Sequence, residues 1–222
     1  MNQEIIHVYL MPGMAANSTI FEFIDLPKEQ FEIHWLDWFI PKPKQTLQDY
    51  AKEMCAKIEY ENSVLLGVSF GGILVQEMAK IKQFLKVIVV SSIKSKHELP
   101  KRLKVAKYTK AYKLLPTQLL SSIDVLAKYS FGETITKRIE LYKKYLSITD
   151  KHYINWSIEQ IIFWDQETPN PDTIFIHGDK DMVFPHSCQG NCLVIKGGSH
   201  IMIINRFKWF NENLPKIILD KK

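Results

Sequence analysis

The segment Gly67-Val68-Ser69-Phe70-Gly71 fits the pattern Gly-x-Ser-x-Gly. A serine in that setting is a candidate nucleophile for acyl transfer, but a hydroxyl attacks poorly unless a base takes its proton. His200, in Gly197-Gly198-Ser199-His200, is the candidate base. Such a base needs a carboxylate to hold its ring in the correct tautomer. His177-Gly178-Asp179-Lys180-Asp181 offers two. Either aspartate can serve. Asp181 lies deeper in the loop, ahead of Val183 and Pro185, and is preferred, while Asp179 suits the shaping of the turn. After the apolar run at 86–90 the chain reads Ser91-Ser92 and offers no carboxylate before Glu98.

These groups meet only if strands deliver them to one end of a sheet. Short apolar runs at Ile5–Leu10, Phe31–Leu36, Ser63–Val68, Lys86–Val90, Thr173–His177 and Cys192–Lys196 read as six strands. Helical spacing covers Thr46–Ile58, with Thr46 as its N-cap, and Gly72–Ile81 and Met202–Asn213. Alternating strands and helices imply an α/β chain with a mainly parallel sheet and helices on both faces. Ser69 then sits where Val64-Leu65-Leu66 meets a helix, on a bend so tight that only glycine suits positions 67 and 71. His200 follows the last strand, at the carboxyl end of the sheet where ligands of such folds bind.

Between the fourth and fifth strands the spacing predicts four helices: Leu99–Leu115, Thr117–Tyr129, Thr134–Ile148 and Lys151–Trp164. That is too long for one crossover. It reads as a helical cap, residues 94–167, inserted into a core of residues 1–93 and 168–222, with Thr168-Pro169-Asn170-Pro171 breaking the chain behind it.

The order Ser69, Asp181, His200, each after a successive strand, resembles the α/β-hydrolase family over almost the whole chain. The resemblance implies a nucleophile elbow at Ser69 and an acid at the end of an H-G-x-x-D segment, here His177 to Asp181. It also implies an oxyanion hole from two backbone N–H groups. The family's His-Gly pair after its early strand is Pro12-Gly13 here, so the donors become Met14 and Phe70. The missing histidine leaves the shape of that loop less defined. The chain also starts at the family's third strand, without the opening strand hairpin, so about six strands are expected. The implied activity is a serine esterase or thioesterase, with no metal and no cofactor. A carbon–carbon hydrolase or lyase using the same triad, and a ligand-binding protein of low turnover, are the alternatives.

Caps in this family select substrate. Trp156, Ile161, Phe163 and Trp164, beside Met14, Phe70 and Met182, are candidates for an acyl pocket; the other reading is the buried side of a two-sided helix. The stretch from Lys94 to Lys151 carries 14 Lys and Arg against 5 Asp and Glu, within a chain of net charge +5. Its lysines read as a solvated helix face; the sharper alternative is steering of an anionic small-molecule acyl substrate. No nucleic-acid reading module accompanies the charge, and no Gly-x-Gly-x-x-Gly or P-loop pattern occurs.

At 46% hydrophobic and 24% charged residues, the composition is that of an ordinary globular chain. No uncharged apolar run approaches the roughly 18 residues of a membrane span, and no basic leader precedes the first apolar run. Three cysteines argue against a disulfide framework and make the cytoplasm the default location. Cys188 and Cys192 with His186 have no second ligand pair at a familiar spacing, so no metal is expected there.

Overall fold

The computed structural model describes residues 4–110, 144–185 and 192–220. Six strands, β1 (Ile6–Met11), β2 (Phe31–Trp35), β3 (Ser63–Val68), β4 (Lys86–Val90), β5 (Ile174–Gly178) and β6 (Cys192–Ile195), form one sheet. Their order is β2-β1-β3-β4-β5-β6, and every pairing is parallel. Every residue of β3 is buried, as are β1 from His7 onward and β4 from Val87 onward. Burial on successive residues means that both faces of the strand are covered, as crossover helices require. Val8, Leu10, Leu65, Leu66, Ile88 and Ile176 have no exposed surface and form the centre of the core.

The chain steps outward from β1 to β2, then returns past β1 to β3 and continues the other way. The loops leaving the carboxyl ends of β1 and β3 therefore diverge at the switch point of the sheet. Open α/β sheets bind ligands in that crevice.

Helix α1 (Leu47–Cys55) starts as expected from Thr46, whose side chain accepts the Asp49 N–H at 3.1 Å. Helix α2 (Phe70–Met78) begins directly after Ser69, two residues before its expected start, and all nine of its residues are buried. Its two polar members therefore need internal partners. Gln76 Nε2 donates to the Ile93 carbonyl at 3.1 Å, and Gln76 Oε1 accepts from Gln166 Nε2 at 2.8 Å. The Glu77 carboxylate accepts from Trp164 Nε1 at 2.7 Å and from Gln48 Nε2 at 3.3 Å, and pairs with Lys80. These bonds tie the chain just after β4 and just before β5 to α2.

Of the four expected cap helices, two stand in the described chain. Helix α3 (Lys101–Thr109) stops short of Leu115 because Lys110 takes a left-handed conformation, φ 55°. Helix α4 (Lys151–Phe163) is capped by Asp150, which accepts the Tyr153 N–H at 2.8 Å. The expected helix at 117–129 lies outside the described residues. The one at 134–148 is described only from 144, and there the chain is not helical. The Ser147 and Ile148 N–H groups donate to the Ala15 carbonyl at 3.0 and 3.2 Å, and Leu146 bridges Ala16. Pairing with the loop after β1 replaces the end of that helix.

The last expected helix is two. Helix α5 (Met202–Asn205) is separated by Arg206 from α6 (Phe207–Leu219). Pro215 does not end α6, because Phe210, Leu214 and Ile218 continue one buried stripe past it. Cys55 is a buried free thiol, and Cys192 is disulfide-bonded. Among the described residues, no helix is long and apolar enough to cross a membrane.

Leu214 is fully buried on the α6 stripe. Leu214→Ala is expected to lower stability by about 2–5 kcal/mol, read from the midpoint of urea unfolding; a loss within about 0.5 kcal/mol would show that α6 does not belong to the cooperative core.

Candidate active site

Ser69 joins β3 to α2 with φ 54° and ψ −120°, a strained conformation for a residue with a side chain. Its N–H is fixed on the Val90 carbonyl at 2.9 Å. Two glycines permit the bend. A Cβ at Gly71 would lie 2.3 Å from the Pro12 carbonyl oxygen, and one at Gly67 would lie 2.3 Å from the Gly71 oxygen. The elbow is thus packed, backbone on backbone, against the chain leaving β1. Gly13 follows in that chain, and a Cβ there would lie 3.3 Å from Ser69 Cβ. Gly71→Ala should lower the melting temperature by several degrees, because the clash is with backbone; an unchanged melting temperature would mean that the elbow has room to relax.

His200 and Asp181 arrive on two loops that also pack backbone on backbone: a Cβ at Gly178 would lie 2.2 Å from the Gly198 oxygen. Lys180 N–H donates to Gly198 O at 2.9 Å, and Asp179 Oδ1 accepts the Gly197 N–H at 2.6 Å. Asp179 thus shapes the turn, while Asp181 faces inward. The structure places His200 Nδ1 2.8 Å from Asp181 Oδ2, and His200 Nε2 2.9 Å from Ser69 Oγ. The network assigns the proton to Nδ1, leaving Nε2 to accept from the serine hydroxyl.

Asp181 has no exposed side-chain surface. Its Oδ1 accepts the N–H groups of Val183 and Phe184 at 2.8 and 3.0 Å, and His177 Nε2 lies 3.4 Å from Oδ2. Burial alone would raise its pKa, but His200 and His177 more than offset that and hold the carboxyl well below the usual range. His177 is the converse case. Burial depresses it, yet the hydrogen bond and charge of Asp181, with the Phe184 carbonyl at 2.8 Å, leave its pKa raised.

A pH dependence follows. Stability from His177 is full below the ordinary histidine value of about 6.5 and is lost as pH rises through its higher folded value. Stability from Asp181 is present above the ordinary carboxylate range and is lost only in strong acid, as pH falls through its lowered folded value. The melting-temperature advantage of wild type over His177→Gln should therefore shrink between about pH 6 and 9; an advantage that grows over that range would contradict the assignment.

The two candidate oxyanion donors flank Ser69. Among the described residues, the N–H groups of Met14 and Phe70 make no hydrogen bond to backbone or side chain. Their carriers are braced by Trp38. Its indole stacks on Phe70 with centroids 4.8 Å apart and planes 5° apart, and its Nε1–H donates to the Gly13 carbonyl at 2.8 Å. The next residue after Met14, Ala15, has φ 62°, and its N–H reaches the buried Tyr153 hydroxyl at 3.3 Å. Nothing local marks Trp38 among the five tryptophans of the sequence; only the fold brings it to the site.

A cavity opens over Ser69 and His200, walled by apolar side chains including Met14, Ile20, Leu103, Leu146, Ile161 and Phe184. Most of the expected pocket residues are not among its walls. Trp156 turns its Nε1–H to the Gln45 carbonyl at 2.7 Å and packs on Tyr50 and Phe70. Trp164 is held by Glu77. Phe163 is 43% exposed, under Lys107, and Met182 is 76% exposed. Polar N–H groups on the two tryptophans found buried acceptors in the core, which rotated them away from the cavity. The cap lysines at 94, 96, 101, 104, 107 and 110 do not line it either; Lys113 lies outside the described residues.

No family model matches this chain, and no curated protein matches it by sequence. Solved structures do. An enol-lactonase from Burkholderia xenovorans LB400 superposes with a TM-score of 0.73 at 14% identity, covering 98% of this chain and 92% of that one. A hydrolase from Pseudomonas aeruginosa PA01 gives 0.70 at 14% identity, over 97% and 91%. An esterase from Exiguobacterium antarcticum gives 0.66 at 17% identity, over 99% and 94%. At these identities the likeness establishes the fold, an α/β-hydrolase fold built on a six-stranded parallel sheet.

Proposed function

We propose that this α/β-hydrolase-fold chain is a serine hydrolase acting on carboxylic esters or thioesters with an uncharged, apolar acyl group. One observation carries the reading. The hydrogen-bonded chain Asp181–His200–Ser69 ends in an apolar cavity, beside two backbone N–H groups that have no hydrogen-bond partner among the described residues. The similar structures described as an enol-lactonase and an esterase support the same bond type.

As Ser69 Oγ attacks the carbonyl carbon, its proton passes to His200 Nε2. Asp181, ionised through the working pH range, stabilises the imidazolium and keeps Nδ1 protonated. The charge that develops on the carbonyl oxygen is met by the N–H groups of Met14 and Phe70. His200 then protonates the leaving alcohol or thiol, and the acyl group remains on Ser69. Water entering the vacated position gives its proton to His200 and attacks the acyl-serine ester; the Ser69 Oγ–acyl bond then breaks, Oγ takes the proton back from His200 Nε2, and the acid is freed. The apolar walls favour an acyl chain without charge, since an ionised group there would be desolvated without a partner.

A fluorophosphonate probe tests the nucleophile without knowledge of the substrate. Intact mass should show one adduct on wild type and none on Ser69→Ala or His200→Ala. A folded wild-type protein that stays unlabelled would turn the reading toward a ligand-binding protein of low turnover.

Trp38→Phe keeps the ring stack on Phe70 but removes the hydrogen bond to Gly13. With a short-chain p-nitrophenyl ester it should lower kcat by about three- to tenfold, the worth of one hydrogen bond, and leave KM nearly unchanged. A change in KM alone would show that Trp38 serves binding instead of the oxyanion donors.

A further inference from the structure

The amino end of the sheet carries a second cluster that the reaction does not use. His7 stands near the start of β1, and Glu32 and His34 lie on β2 at the sheet edge. The parallel register sets His7 beside Glu32 and Tyr9 beside His34. Side chains alternate along a strand, so all four share one face. His7 Nδ1 lies 2.8 Å from His34 Nε2 and 3.5 Å from Glu32 Oε2. One ligand atom from each of the three residues lies within 4.8 Å of the others. Both rings are clamped. Tyr60 stacks on His7 with centroids 3.5 Å apart and planes 2° apart, and Tyr9 stacks on His34 at 4.6 Å and 20°. The imidazole nitrogens are therefore held facing one another, with a carboxylate reaching over them from the solvent side.

We propose that His7, Glu32 and His34 bind a divalent transition-metal ion, zinc by the chemistry of the ligands, at a site separate from Ser69. Two imidazole nitrogens and one carboxylate oxygen are a ligand set that zinc accepts. Magnesium and calcium prefer shells built of oxygen. Tetrahedral zinc with bonds of about 2.0–2.1 Å holds two nitrogens roughly 3.3 Å apart, so the ion spreads the histidine pair by about half an ångström. As the ion enters, the ring proton between the two nitrogens moves by exchange with water to the outer nitrogen of its own ring, so both imidazoles stay neutral and offer a lone pair to the metal. His7 coordinates through Nδ1, His34 through Nε2 and Glu32 through one oxygen, with water completing the shell.

From His7 to Met11 the strand rises about 13 Å, so the ion takes no part in chemistry at Ser69. Its effect falls on the fold. Among the described strands β2 pairs only with β1, and an ion shared by the two strands joins them through side chains as well as backbone. Binding to the folded state alone then stabilises that state.

The test is calorimetric titration of the chelator-treated full chain with zinc chloride, beside thermal melts with and without zinc. Wild type should bind one equivalent with micromolar affinity and melt a few degrees higher with zinc. His7→Gln and His34→Gln should each weaken binding by more than about tenfold and abolish the shift. Glu32→Gln, at an exposed position that folding does not need, should weaken binding as well. His200→Gln should bind as wild type does. Absence of zinc binding in wild type would reduce the cluster to a proton-sharing histidine pair and overturn the proposal. Binding undiminished in His7→Gln, His34→Gln and Glu32→Gln, or lost in His200→Gln, would place the ion elsewhere and overturn it too.

Discussion

The oxygen of Pro12 lies where a side chain at position 71 would begin. That contact joins the first turn of α2 to the chain leaving β1 across the switch point of the sheet, and much else depends on it. It lets the strand-to-helix bend close tightly enough for Ser69 to take a positive φ. It also sets Gly13 against the serine, which brings the residue that follows it, Met14, into the same cavity wall as Ser69. The strain at Ser69 persists because both sides of the bend are buried: all of α2 behind it, and the end of β1 in front.

Polar groups inside this apolar frame do the positioning. Trp38 connects the two candidate oxyanion donors through one ring, stacking on one carrier and bonding to the carbonyl that precedes the other. Gln76 and Glu77, buried on α2, hold Gln166 and Trp164 and thereby fix the chain on its way from α4 into β5. Helix α4 is held by the same kind of bond, through Trp156 to Gln45 and His152 to Pro41. The wall over Ser69 is consequently built by side chains that carry no polar group, Leu103, Leu146 and Ile161 among them.

Much of this was legible in the sequence where the cause is local. The elbow shows itself because its geometry demands glycine on both sides of the serine. The strands show themselves as apolar runs, and Thr46 and its helix as a capped period. Asp181 was preferred over Asp179 by its depth in the loop, and the two do take different positions, one inward and one on the turn. Where the cause is a distant partner, the pattern failed. Trp156 lies on a helix with apolar residues on two sides and Trp164 just past its end, and periodicity does not say which side meets the cavity. Their rotation is decided by acceptors at positions 45 and 77. The last helix was expected to end at Asn213, but the buried stripe of Phe210, Leu214 and Ile218 carries it on to Leu219 through Pro215. Ser147 and Ile148 left the helical pattern for a carbonyl at position 15. His7 and His34, far apart in the chain, gave no spacing to notice.

Asp181 owes its place to the Val183 and Phe184 amides and to His177, none of which belongs to His200. The carboxylate is therefore a fixed post, and the imidazole beside it is held by one bond on each side. If the ring swings out to let a bulky group pass, the carboxylate need not follow, and on return the ring meets an acceptor that has not moved. The positional memory of the pair lies in the backbone of the loop beneath the ring.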